Sequence, residues 1–230
     1  LTIEPAMDSS PGQRWLEIDA RIAAAALANN RQPDEITTIV VTKFHPASLV
    51  RELYEAGVRH VGENRHQEAM AKQAELSDLP LTWHFVGQLQ SNKAKAVAQY
   101  CSVIHSVDRA SLVSALASGE KPLDVFLEVN LTDVAHRGGV EPSGLLALAE
   151  EVLERDILTL RGLMAVAPLD QEPAAAFDRV LGLSQTLQSL APGATDLSMG
   201  MSADFEEAIA AGATHLRIGS AITGKRPLAP

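Results

Sequence analysis

Ala56-Gly57-Val58-Arg59-His60-Val61 and Ala211-Gly212-Ala213-Thr214-His215-Leu216 are nearly the same phrase, written once near each end of the chain. In both, a glycine follows a helical pattern and precedes a short apolar run. Glycine at the position after a helix accepts the left-handed turn that ends it, and the alternation that follows suits a strand. The echo therefore reads as one helix-to-strand loop used twice, and it predicts that helix and strand alternate between the two copies.

The rest of the sequence agrees. Strand patterns run near Thr37–Lys43, His60–Asn64, Trp83–Leu89, Ser102–Asp108, Asp124–Asn130, Leu160–Pro168, Asp196–Met201 and His215–Ile222. Helical patterns lie between them, near Ala47–Ala56, Arg65–Leu76, Asn92–Tyr100, Arg109–Ala117, Pro142–Arg155, Pro173–Leu190 and Ala203–Ala211. Pro142 and Pro173 suit first helical turns, and Ser91, Asp108 and Ser202 could cap the helices after them. An additional amphipathic helix, Gln13 to Asn29, carries Trp15, Ile18, Ile22 and Ala26 on one face. Alternating units imply parallel strands with right-handed crossovers, and eight of them imply a closed barrel. The expectation is an α/β fold: a single (β/α)8 TIM barrel over 13–230, with an extra N-terminal helix and a flexible tail over 1–12. A doubly wound open sheet uses the same units, but no G-x-G-x-x-G follows an early strand.

Composition narrows the function. The 230 residues carry a formal net charge of -10, which disfavours nucleic acid as the main partner. Cys101 is the single cysteine, so there is no internal disulfide, and no HExxH spacing joins the histidines into a zinc site. No apolar run reaches the ~20 residues of a membrane span. The stretch LTIEPAMDSSPGQ lacks the basic and apolar regions of a signal peptide. A cytoplasmic, reducing location and no membrane partner are expected.

In such a barrel the chemistry sits where the strands end. Those ends read Lys43, Glu63-Asn64, Gly87-Gln88, Asp108, Asn130, Pro168, Met201-Ser202 and Gly219-Ser220. Lys43 closes IVVTKFHP, 39–46, and by period two it shares the face of Ile39 and Val41. It is either a cation reaching water or an amine kept neutral by apolar walls and able to attack an aldehyde. Ser202, Gly219 and Ser220 lie at the strand ends that frequently hold phosphate in these barrels. Ser202 could equally be a plain helix cap, with Asp204, Glu206 and Glu207 serving the helix dipole. Arg217 alternates with Leu216 and Ile218. It then points into the barrel, toward an ion pair with Glu63 or Glu128, or toward a ring nitrogen of a cofactor. Taken together, the lysine, the phosphate cradle and the inward arginine describe a pocket for pyridoxal 5′-phosphate (PLP).

At these residues the sequence resembles the YggS/PROSC group of pyridoxal phosphate homeostasis proteins. The matching segments are IVVTKFHP (39–46), HVGENRHQE (60–68), WHFVGQLQSNKAK (83–95), IHSVDR (104–109), RGLMAVAP (161–168) and LSMGMSADFEEAIAAGATHLRIGSAITGKRP (197–227), in order along nearly the whole chain. The resemblance implies a fold-type III barrel like that of alanine racemase, with PLP as a Schiff base on Lys43. It also implies phosphate contacts from Ser202, Gly219 and Ser220, Arg217 at the ring nitrogen and Asn64 beside the ring. It assigns no role to His84. The chain departs from the group's pattern at VNLTDVAHRGG, with Arg137 where a lysine is common and no matching glutamate, and at Thr223, where phenylalanine is common.

An arginine at the ring nitrogen makes a poor electron sink. Tyr54 and Tyr100 fall in helical patterns, away from the face where a racemase places its second acid/base. The expected function is intracellular PLP homeostasis by a non-catalytic monomeric carrier, with PLP-dependent apo-enzymes or free amino acids as acceptors. The alternatives are a small PLP-dependent amino acid racemase or lyase, and a phosphate-binding barrel with no imine.

Overall fold

The computed structural model describes residues 9–132 and 138–225. Eight strands, β1 (Thr37–Val41), β2 (His60–Glu63), β3 (Thr82–Phe85), β4 (Val103–Val107), β5 (Leu123–Glu128), β6 (Leu158–Met164), β7 (Asp196–Ser198) and β8 (His215–Ile218), pair in chain order into a closed barrel. Every pairing is parallel, and β1 closes on β8 with Ile39 opposite Arg217. The helices are α1 (Pro11–Ala28), α2 (Ala47–Glu55), α3 (His66–Glu75), α4 (Ser91–Val97), α5 (Ala110–Ala117), α6 (Leu145–Leu153), α7 (Pro173–Leu190), α8 (Phe205–Ala210) and α9 (Ser220–Thr223). This is the expected TIM barrel with its extra N-terminal helix. Among the described residues no helix is long and apolar enough to cross a membrane.

Side-chain parity divides the barrel into two layers. Val40, Val61, Trp83, Phe85, Ile104, Leu127, Leu197, Leu216 and Ile218 face outward into one apolar cluster with Val50, Leu53, Val97, Leu112 and Phe177 of the helices. Ile39, Gly62, His84, His105, Phe126, Ser198 and Arg217 take the opposite parity. Apolar branched side chains usually fill such interiors; here much of the middle is polar. Two bulges adjust the wall. The β4–β5 register shifts between Ile104 and Val107, and the β5–β6 register shifts between Val125 and Phe126.

The start of α1 differs from expectation. The helix begins at Pro11, because Ser10 caps it in a box with Gln13; the first eight residues of the expected tail lie outside the described residues. Trp15, Ile18, Ile22 and Ala26 are buried as the periodicity required. Gly57 and Gly212 end α2 and α8 at φ 110° and 94°, so the echoed phrase is indeed one loop used twice. The strands stop earlier than their patterns, since the chain leaves the ladder to build the upper loops. β8 ends at Ile218, and Gly219 (φ -110°, ψ -94°) turns the chain into α9. Three expected caps do not form. Ser91 is the first residue of α4 and not its cap, Asp108 pairs with Arg109, and Ser202 bonds elsewhere.

Candidate cofactor site

Lys43 leaves the top of β1 in a tight turn, flanked by Thr42 and Phe44. Phe44 has φ 68°, a conformation costly for a bulky residue and held only where its surroundings insist on it. Those surroundings are visible. The buried Lys72 ammonium donates to the Thr42 carbonyl at 2.7 Å, to Glu63 Oε1 at 2.7 Å and to Glu68 Oε1 at 2.8 Å. The Thr42 hydroxyl donates to Glu63 Oε1 at 2.6 Å, and the Phe44 N–H donates to Glu68 Oε1. Both neighbours of Lys43 are thus pinned by one buried network, leaving the lysine stem between them. Burial raises the Glu63 carboxyl pKa, and Lys72 and Thr42 oppose that rise. The Lys43 side chain is exposed, so the expected apolar walls do not enclose it. Its Nζ lies 6.0 Å from the Phe44 ring centroid, and the Arg65 guanidinium lies 4.9 Å from the same centroid.

Arg217 points into the barrel, as its alternation with the buried Leu216 and Ile218 required. It pairs with neither Glu63 nor Glu128. It donates to the Ser198 carbonyl (2.7 Å), the Ser198 hydroxyl (2.8 Å) and the Ala165 carbonyl (2.9 Å). Among the described residues, the Nε–H and one Nη2 hydrogen have no acceptor. Burial lowers its pKa to about 10, with Glu128 and Asp204 opposing, so it remains a cation at neutral pH.

The phosphate-type loops meet beside it. The Ser202 hydroxyl accepts from the Ala221 N–H at 3.3 Å, tying the loop after β7 to α9. Gly219 sits against the end of β1: a methyl there would lie 3.8 Å from Val41 Cβ and from its carbonyl. Glu206 of α8 is engaged away from this loop, on Arg21 at 2.9 Å, while Asp204 accepts from the Met201 N–H at 2.6 Å within the loop itself. Ser202, Gly219 and Ser220 therefore form one rim, on the strand end next to that of Lys43. Asn64 closes the other side, and its buried Oδ1 has no hydrogen-bond partner. Next to it a cavity of about 500 Å³ is lined by Arg65, His66, Gln88 and Lys93, among others.

These features fit PLP. Arg217 holds unspent donors for a ring acceptor, Asn64 Oδ1 lacks a donor, and the serine-glycine rim adjoins the strand end that carries an accessible amine. The Asn130 amide braces its own loop through Glu141 and Thr132, and Arg137 lies outside the described residues.

Histidines were missed as site neighbours. His60 Nδ1 is 3.0 Å from His84 Nε2, His84 Nδ1 is 2.9 Å from His105 Nε2, and His105 Nδ1 is 2.8 Å from the Ser198 hydroxyl. The signal was present, since His60, His84 and His105 all sit at inward parity in three successive strands. Burial, then neighbouring positive groups, pushes His84 and His105 well below 6.5. Their folded pKa values are depressed, so below the unfolded value of ~6.5 the unfolded chain binds protons that the fold refuses. Stability is then complete above that pH and lost as pH falls beneath it. Below that value each ring loses about 1.4 kcal/mol per pH unit, so these two together should account for about 3 kcal/mol between pH 7.5 and 5.5; His215, lowered to about 4, and His45 and His60 add in the same direction, and Glu63 returns some with the opposite sign. Urea midpoints at the two pH values test this. His84→Phe should remove one ring's share of the loss, about 1.4 kcal/mol, and identical pH dependence in variant and parent would refute it.

The model of the alanine racemase N-terminal domain family matches residues 24–227. A pyridoxal phosphate homeostasis protein of Pseudomonas aeruginosa is 45% identical over 222 residues, covering 95% of this chain and 96% of that protein. Its counterpart in Escherichia coli is 38% identical over 220 residues, covering 91% and 94%. Among solved structures, PipY of Synechococcus elongatus with PLP bound superposes with a TM-score of 0.81 at 37% identity, covering 94% of this chain and 100% of that one. Alanine racemase of Corynebacterium glutamicum, at 14% identity and a TM-score of 0.66, shares the fold over 89% of this chain and 59% of its own. The chain belongs to the pyridoxal phosphate homeostasis protein family, built on the alanine racemase N-terminal domain.

Proposed function

We propose that this protein is a non-catalytic PLP carrier of the cytosol, acting in PLP homeostasis, with the cofactor bonded to Lys43. The observation that carries the reading is the convergence of a braced, accessible lysine, an arginine with unspent donors and a serine-glycine rim on adjoining strand ends. PLP supplies a reactive aldehyde. The Lys43 amine would hold that carbon. Ser202, Gly219 and Ser220 would hold the phosphate, Arg217 would donate to the ring nitrogen, and Asn64 would lie beside the ring. The names of the curated relatives and the PLP bound to PipY support the assignment.

An arginine at the ring nitrogen opposes its protonation and so weakens the electron sink that racemases and lyases need. Tyr100 is engaged with His66 at 3.2 Å, and Tyr54 lies on α2. No tyrosine of the described residues faces the site as a second acid/base. Release follows instead by transfer of the aldehyde to another amine, from a free amino acid or from the lysine of an apo-enzyme. The carrier acts as a monomer.

Borohydride reduction followed by peptide mass spectrometry tests the central claim. One pyridoxyl adduct on Lys43 is expected, and Lys43→Ala should abolish both it and the yellow colour that survives dialysis. An adduct on another lysine, or undiminished colour in Lys43→Ala, would refute it. Loss of optical purity in an amino acid incubated with the loaded protein would instead establish the racemase reading.

A further inference from the structure

We infer that His105 and His84 are positioning residues for Arg217, forming a one-way row of hydrogen bonds from the Ser198 hydroxyl to His60. The row crosses the barrel from the cofactor end of β7 to the N-terminal end of β2. Its effect on the cofactor rests on reading Arg217 as the partner of the PLP ring nitrogen; the row itself does not.

Donor arithmetic sets its direction. A guanidinium only donates, so the Ser198 oxygen accepts from Arg217 Nη1 at 2.8 Å. The serine hydrogen then needs an acceptor, and among the described residues the remaining partner of that hydroxyl is His105 Nδ1 at 2.8 Å. If His105 donated instead, the oxygen would accept twice and its own hydrogen would be buried without a partner. So His105 accepts at Nδ1 and carries its hydrogen on Nε2, donating to His84 Nδ1 at 2.9 Å. His84 likewise carries its hydrogen on Nε2 and donates to His60 Nδ1 at 3.0 Å. A second proton on His84 would set its Nδ1–H against the Nε2–H of His105, and one on His105 would set its Nδ1–H against the Ser198 O–H.

The wall holds the row in place. The register shift in β4 lies between Ile104 and Val107, the interval that holds His105 and Ser106, and bulges re-aim side chains. Its ring stacks on Phe126 with centroids 4.6 Å apart and planes 7° from parallel. Arg217 stands at one end. At the other, His60 and the Arg161–Asp196 ion pair both act on His215, with Asp124 beside that pair. Among the described residues no carboxylate hydrogen-bonds to His84 or His105, and burial disfavours their charged forms. Arg217 is therefore oriented by neutral acceptors alone. Its charge stays unneutralised by any direct ion pair, and its free N–H groups keep one direction.

Side-chain nitrogen-15 NMR of the histidines tests the row without cofactor. At pH 7 His84 and His105 should both be neutral and protonated only on Nε2. An Nδ1–H tautomer or a doubly protonated ring at either position would overturn the inference. In the PLP-loaded protein, His105→Phe keeps the ring stack but removes the acceptor, whereas His105→Asn keeps an acceptor toward Ser198. Loss of one hydrogen bond corresponds to about five- to tenfold, so His105→Phe should release PLP faster by about that factor and shift the pH midpoint of its absorbance. His105→Asn should behave like the parent. Equal behaviour of the two variants would overturn the positioning role. If the parent forms no adduct on Lys43, the carrier reading fails, while the NMR pattern still decides the row.

Discussion

Gly162→Ala is expected to leave the purified chain largely unfolded. Gly162 follows the register shift in β6 and pairs with Asp196 of β7. A methyl on it would lie 1.9 Å from the Asp196 carbonyl oxygen and 2.8 Å from its carbon. No side chain can swing aside, because the obstruction is backbone within a closed ring of strands. Relief requires β6 and β7 to part, which breaks the ladder on that side and loosens the Arg161–Asp196 ion pair. Losses above about 4 kcal/mol come from such steric conflicts, against a total stability of about 5–15 kcal/mol for a domain. Circular dichroism and a urea titration measure it, and a midpoint within experimental error of the parent would refute it.

Lys72→Met should cost about 3–5 kcal/mol, the usual penalty for removing one partner of a buried ion pair. The substitution leaves Glu63 fully buried with the Thr42 hydroxyl as its remaining hydrogen-bond donor. It also frees the Thr42 carbonyl and Glu68, and with them both neighbours of Lys43. The pH dependence identifies the cause. Lys72 holds the Glu63 pKa down against the burial that raises it, so without Lys72 that pKa rises further. An acid with a raised folded pKa binds its proton in the fold before it does in the unfolded chain. The deficit is therefore largest above the folded pKa and recovers as pH falls toward the unfolded value of ~4.3. Adding Glu63→Gln should restore much of the loss at neutral pH. Borohydride trapping should show less adduct on Lys43 in the single variant. A Lys72→Met protein with parental stability at pH 7 would show that the network does not brace the turn.

How much of this was legible beforehand follows from how local each signal is. The echoed glycines, the stripe of Trp15, Ile18, Ile22 and Ala26, and the alternation of Leu216, Arg217 and Ile218 each state their role within a few residues. They were enough for the barrel, its added helix and the inward arginine. The partners of Arg217 were not legible. Glu63 stands at a strand end like a natural counter-ion, yet parity turns it outward to Lys72, and Ser198 and Ala165 take its place through neighbouring strands. The caps expected of Ser91, Asp108 and Ser202 failed for a similar reason. Each hydroxyl or carboxylate had a competing partner or register that only the folded chain supplies.

The sequence by itself determined the repeating units, their number and the residue types at the strand ends, because periodicity and turn chemistry act between near neighbours. Only the tertiary structure decided that Lys72 braces the Lys43 turn, that Ser202 ties to Ala221, and that three histidines line up behind Arg217. Closing the barrel brings together strands far apart in the chain, and a hydrogen bond between such strands depends on register and bulges that no local pattern encodes.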